Sequence, residues 1–67
     1  MRLPIVSGKR VTRALLKKGY YIRNQKGSHV HLRHPTLPPV TVPNHKVVST
    51  GTLKEIMSVT GLRPSDF

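Results

Sequence analysis

The spacing of hydrophobic positions changes several times along the chain, and each change marks a predicted element. Between Ser7 and Gly19 the apolar residues Val11, Ala14 and Leu15 recur at helical intervals among lysines and arginines. Ser7 suits the N-cap, since its hydroxyl can accept from an amide that the helix leaves unpaired. Gly19 suits the stop, and Lys17 and Lys18 lie where cations complement the carbonyl end of the helix dipole. From Tyr20 to Gln25 the period falls to two. Tyr20 and Ile22 alternate with Tyr21, Arg23 and Gln25, which predicts a half-buried strand. Lys26-Gly27-Ser28 is a connection of hairpin length. His29 to Arg33 alternates again, with Val30 and Leu32 on one side and His29, His31 and Arg33 on the other.

Past His34 the pattern breaks. Pro35, Pro38 and Pro39 lack the amide hydrogen that a sheet ladder needs. Val40-Thr41-Val42 predicts a short third strand, ended by Pro43, and Asn44 to Thr50 reads as loop. Leu53, Ile56 and Met57 form the apolar stripe of a second helix, with Gly61 at its end. Thr52 and Glu55 have the spacing of a reciprocal capping box, and Ser49 and Thr50 are alternative caps. Arg63 to Phe67 predicts a last turn that lays Phe67 back on the core.

The order is helix, three strands, helix. Hairpin-length connections make the sheet antiparallel, and both helices must cover its one apolar face. The fold class is α+β. The covered face is expected to carry Tyr20, Ile22, Val30, Leu32, Val40 and Val42. The opposite face is expected to carry Tyr21, Arg23, Gln25, His29, His31, Arg33 and Thr41.

Length and charge narrow the function classes. The 67 residues allow one small domain, spanning 1–67. A chain of this size buries only about 60% of its unfolded surface, so its core is thin. It has no cysteine, which excludes disulfides and thiolate zinc sites. Twelve Lys and Arg stand against Glu55 and Asp66, a formal net charge of +10. Such an excess calls for a polyanion or an acidic partner. Phosphate backbones fit, because each contact with a cation releases counterions. A membrane surface fits less well, since it asks for a basic amphipathic helix with bulky apolar anchors. No apolar run has the length of a bilayer span, and Met1 to Val6 is too short for the core of a signal peptide. The expectation is a soluble, cytoplasmic protein that makes no membrane contact.

The topology on so basic a chain is that of a double-stranded-RNA-binding domain. The resemblance sharpens at the first hairpin. Gly19-Tyr20 followed by Gln25-Lys26-Gly27-Ser28-His29 resembles the pattern of the HicA (YcfA-type) toxin family. Val42-Pro43-Asn44-His45 and Gly51-Thr52-Leu53 agree with it, in order and at matching spacing, so that the likeness runs from about Ser7 to Phe67. It implies an mRNA interferase that works without a metal or other cofactor and is held inactive by a HicB-type antitoxin encoded nearby. The family's catalytic histidine falls on His29. Two departures stand out. Asn24 occupies a position that is commonly Arg in the family, and the proline-rich stretch at 35 to 39 replaces a tighter turn.

The chemistry is coherent without the family. RNA brings its own nucleophile, the 2′-hydroxyl beside the scissile phosphate, and a neutral imidazole can take its proton near neutral pH. General base catalysis of this kind contributes about 10²–10⁴-fold. Lys26 and the backbone amides of Gly27 and Ser28 adjoin His29 and are candidates for holding the phosphate. His31 and Arg33 share the strand face of His29. Lys9 and Arg10 begin a cationic patch on the first helix that continues through Arg13, Lys17 and Lys18. His31 and Lys26 are the candidates for protonating the leaving oxygen. His34 is expected to be structural, and His45 to order its loop or to assist. Without the resemblance, the plain reading of His29 is a polar residue on a solvated sheet. A zinc site at His29 and His31 is disfavoured, since neither acid lies near them and the chain is strongly cationic. The alternative function is a non-catalytic RNA-binding module of the same fold.

Overall fold

The computed structural model describes residues 3–67, so the first two residues of the Met1–Val6 run lie outside it. Its elements are α1 (Gly8–Lys17), β1 (Tyr21–Lys26), β2 (His29–Arg33), β3 (Val40–Pro43), α2 (Thr50–Thr60) and a closing 3₁₀ turn (Pro64–Asp66). The strands form one antiparallel sheet in the order β1-β2-β3. This is the expected α-β-β-β-α architecture, with both helices on one face of the sheet.

Local chemistry sets both ends of α1. The Ser7 hydroxyl accepts from the Arg10 amide at 3.2 Å. At the other end Gly19 takes a positive φ of 105°. The chain then reverses so that the Gly19 amide donates to the Leu16 carbonyl and the Tyr20 amide to that of Leu15. This paired closure satisfies two carbonyls that the helix leaves open. Gly61 ends α2 in the same left-handed region, at φ 76°.

The start of α2 differs from the expected Thr52–Glu55 box. Ser49 is the cap, and its hydroxyl accepts from the Thr52 amide at 3.3 Å. Thr52 is thus already inside the first turn. The choice is made outside the helix: Val48 is buried and its amide donates to the Val6 carbonyl at 2.8 Å, which fixes where the chain can turn into α2.

One core joins the layers. Val11, Ala14 and Leu15 of α1 and Leu53 and Ile56 of α2 pack with Val30, Leu32, Val40 and Val42 of the sheet. Tyr20 is buried at the α1–β1 junction, and Phe67 packs against the cluster from the closing turn, as expected. The one buried polar side chain among the described residues, Thr60, gives its hydroxyl hydrogen to the Ile56 carbonyl.

β1 departs from its predicted alternation. All six of its residues are exposed, and Ile22, expected in the core, remains 49% exposed. The ladder also slips by one residue between Ile22 and Asn24. Arg23 is the extra residue of a β-bulge, and beyond it the faces exchange. Gln25 consequently pairs with Val30 on the helix side, whereas the simple alternation placed it on the open face. Asn24 and Lys26 take positions on the open face instead, opposite His31 and His29.

Candidate functional site

The open face of the sheet is built row by row from cross-strand pairs. Lys26, His29 and Pro43 form the first row, Asn24, His31 and Thr41 the second, and Tyr21 with Arg33 the third. Directly opposed side chains on one face lie about 4.5–5.5 Å apart at Cβ, so Lys26 and His29 are neighbours. Successive residues on that face of β2, His29 and His31, are separated by about 7 Å. Among the described residues no helix covers this side.

His29 opens β2 directly after a two-residue turn. Gly27 takes a positive φ of 56°, and among the described residues none other than glycine has φ above zero. A lone left-handed glycine at the first turn position belongs to the tight hairpin whose twist matches that of its strands. The Gln25 side-chain amide donates to the Gly27 carbonyl at 3.3 Å. From the other side the Asn44 amide donates to the Ser28 carbonyl. The turn is therefore braced through its carbonyls. The amides of Gly27 and Ser28 have no backbone acceptor among the described residues and remain available to an anion.

Each histidine has a distinct setting. The His29 ring is exposed and makes no hydrogen bond among the described residues. His31 is half-buried, with Nδ1 3.0 Å from the Thr41 hydroxyl. His34 is fully engaged. Its Nδ1 accepts from the amides of Thr36 and Leu37, both at 3.1 Å. With Nδ1 an acceptor, the proton lies on Nε2, which donates to the Lys18 carbonyl at 3.2 Å. The ring also packs on Tyr20, with centroids 4.8 Å apart. His34 thus has the structural role the sequence indicated. His45 is exposed, and its contribution to the fold runs through its backbone: its carbonyl accepts from the Gly8 amide at 2.9 Å.

That last bond locates α1 relative to the turn. Gly8 lies so close to Pro43 and Asn44 that a side chain there would collide with their backbone. Asn44 in turn holds Ser28, so α1 begins at the end of the sheet where the β1–β2 turn lies. The Val48–Val6 bond brings the start of α2 beside the start of α1. Neither helix has an acidic residue in its first turn. Their N-terminal partial charges, positive by geometry, go unopposed.

Of the residues singled out from sequence, Lys26, His29, His31 and Arg33 share the open face of the sheet, and Gly27 and Ser28 form the turn that joins its first two strands. Lys9 and Arg10 belong to the helix layer on its other side. Lys9 borders a groove between α1 and β1, and Arg10 faces a depression shared with Arg13, Lys17 and Phe67. The sequence reading missed the bracing role of Gln25 and the presence of Asn24 on the face of His31. The only available signal was a strand one residue too long for its partner, which reads only after the pairing is known. Burial raises the pKa of the Tyr20 hydroxyl above the ordinary 10.0. That hydroxyl donates to the Pro38 carbonyl at 2.8 Å. Among the described residues no cluster of three or more His, Asp and Glu is arranged to hold a metal ion, and no helix is long and apolar enough to cross a membrane.

Fold and site together define a small basic α+β domain whose bare sheet face presents imidazole and cationic groups around a braced tight turn. Residues 8–62 match the family model described as the HicA toxin of bacterial toxin-antitoxin systems. The match takes in both helices and all three strands, and the chain belongs to the HicA toxin family. No curated protein and no solved structure matches it.

Proposed function

We propose that the chain is the ribonuclease toxin of a type II toxin-antitoxin pair, cutting mRNA in the cytoplasm without a metal and restrained by a HicB-type antitoxin. The observation that carries this reading is the exposed His29 ring beside Lys26 and the two open amides of the Gly27–Ser28 turn. A phosphate seated on those amides and the Lys26 ammonium places the adjacent ribose at His29.

His29 takes the proton of the 2′-hydroxyl, and the freed oxygen attacks phosphorus. Lys26 and the turn amides offset the charge that grows on the non-bridging oxygens, where pre-aimed donors have their largest effect. The phosphorus–5′-oxygen bond breaks as the leaving oxygen gains a proton. His31, about 7 Å further along the same strand face, offers a second imidazole for that transfer. Its Nδ1 is held by Thr41, which leaves Nε2 for the substrate. The products are a 2′,3′-cyclic phosphate and a 5′-hydroxyl. Arg33, with Tyr21 opposite it, extends the face along the RNA strand. The unopposed N-termini of both helices and Lys9 and Arg10 add a general attraction for phosphate at the same end of the molecule.

The test is end-group analysis of RNA incubated with the purified chain and with His29→Ala. Cyclic phosphate ends that depend on His29 are expected. A 3′-hydroxyl end, or equal cleavage by both proteins, contradicts the mechanism. RNA that is bound but left intact by the wild type identifies a non-catalytic binding module.

A further inference from the structure

β1 is the one strand that contributes nothing to the buried core. Its helix-side residue Ile22 is 49% exposed, and across from it Leu16 of α1 is 44% exposed. Between them runs an open groove of about 360 Å³, whose floor also includes Val30. Lys9 and Arg13 border it. Both acids of the chain lie elsewhere: Glu55 beside Pro39 and Val40, Asp66 beside Lys17 and Phe67.

We infer that this groove is the seat of an acidic protein partner, which inserts an apolar side chain between Leu16 and Ile22 while its carboxylates meet Lys9 and Arg13. Three observations select this occupant. An apolar floor inside a cationic rim matches an apolar anchor flanked by acids, because the floor gains from leaving water and the rim from opposite charge. A second copy of the chain is a poor occupant, since each carries a net charge of +10. Nucleic acid is a poor occupant too, since no aromatic ring lines the groove for a base to stack on. The bulge at Arg23 twists the free edge of β1 and opposes the addition of another strand, so the contact is made by side chains in the groove. The inference deepens the reading of the chain as one half of a toxin-antitoxin pair. It places the partner's anchor on the helix side of the sheet, on the face opposite that of His29 and next to Gln25 and Asn44.

The experiment is a titration of the isotopically labelled full chain, followed by the methyl signals of Leu16, Ile22 and Val30. Three probes are compared: the hexapeptide Glu-Glu-Leu-Leu-Glu-Glu, its counterpart Glu-Glu-Ser-Ser-Glu-Glu, and hexauridylate. The leucine peptide is expected to move the groove methyls and to bind about tenfold more tightly than the serine peptide. Ile22→Ser and Leu16→Ser are each expected to weaken the leucine peptide about fivefold and to leave the serine peptide unchanged. Both residues are half exposed, so the variants should keep the fold, which the unperturbed Tyr20 and His34 signals check. Equal binding of the two peptides reduces the effect to charge and overturns the proposal. So do peptide shifts confined to His29, His31 and Arg33. Hexauridylate moving the groove methyls makes the groove a nucleic-acid surface and also overturns it. RNA cleavage by Ile22→Ser is measured separately and should equal that of the wild type. A wild type that cuts no RNA leaves the titration fully readable, so the two readings fail independently.

Discussion

His29 and His34 occupy opposite ends of β2 and share a side chain, yet their surroundings have nothing in common. Both nitrogens of His34 are committed, one to two amides of the proline-rich loop and the other to the carbonyl of Lys18, the residue that caps α1. It ties three segments together and has no valence left for a substrate. The ring of His29 is engaged by nothing in the described chain, and what is fixed is the backbone beneath it. The Gln25 amide, the Asn44 amide and the left-handed Gly27 brace the turn from which it projects. The lesson concerns how a thin domain divides its polar groups. A histidine bonded at both nitrogens stabilises the fold. One that is held only through its backbone stays available for chemistry while its position remains defined.

Substitutions can break this contrast. The largest effect is expected for His29→Ala, which should lower RNA cleavage by at least about 10²-fold while leaving the melting temperature unchanged, since the ring supports nothing. Cleavage rate and thermal unfolding, measured on one preparation, decide it. His34→Ala should do the reverse. It strips two amides and a carbonyl of their partner and should cost about 2–3 kcal/mol in urea unfolding, with cleavage per folded molecule retained.

Gly8→Ala tests whether the brace at the His29 end depends on close backbone approach. An added methyl meets Pro43 and Asn44 and should destabilise by about 1–3 kcal/mol. Cleavage should fall as well, because Asn44 is what holds Ser28. If stability drops and activity per folded molecule does not, the coupling of α1 to the turn is refuted.

A smaller effect belongs to the other end. Tyr20→Phe loses one hydrogen bond to Pro38 and should cost about 1 kcal/mol. Burial raises the pKa of Tyr20 in the folded state above its ordinary 10.0. Above about pH 10 the unfolded chain therefore binds fewer protons at this residue than the native one. The stability it contributes is complete below that pH and declines as pH rises toward the folded value. The phenylalanine variant should lack this alkaline decline when unfolding is followed from pH 8 to 11. The smallest change tests the corrected cap of α2: Glu55→Ala should stay within about 0.5 kcal/mol of wild type, whereas Ser49→Ala should cost about 1 kcal/mol.

What the sequence determined by itself was everything governed by neighbours a few positions apart. Ser7 and Gly19 bound α1 through groups within one turn of themselves, and Val30, Leu32, Val40 and Val42 alternate because a pleat has a period of two. The Gly27–Ser28 turn is legible for the same reason, and so is the place of His29 beside Lys26. Tertiary structure decided the rest. Whether Ile22 is buried depends on a helix lying over β1, and alternation assigns a face without saying what covers it. The bulge at Arg23 exists only relative to β2, so no inspection of β1 alone could move Gln25 off the open face. Local spacing favoured Thr52 as the cap with Ser49 and Thr50 as alternatives, and the structure, with Val48 held to Val6, has Ser49. Those outcomes rest on contacts between residues far apart in the chain, and a local pattern does not encode them.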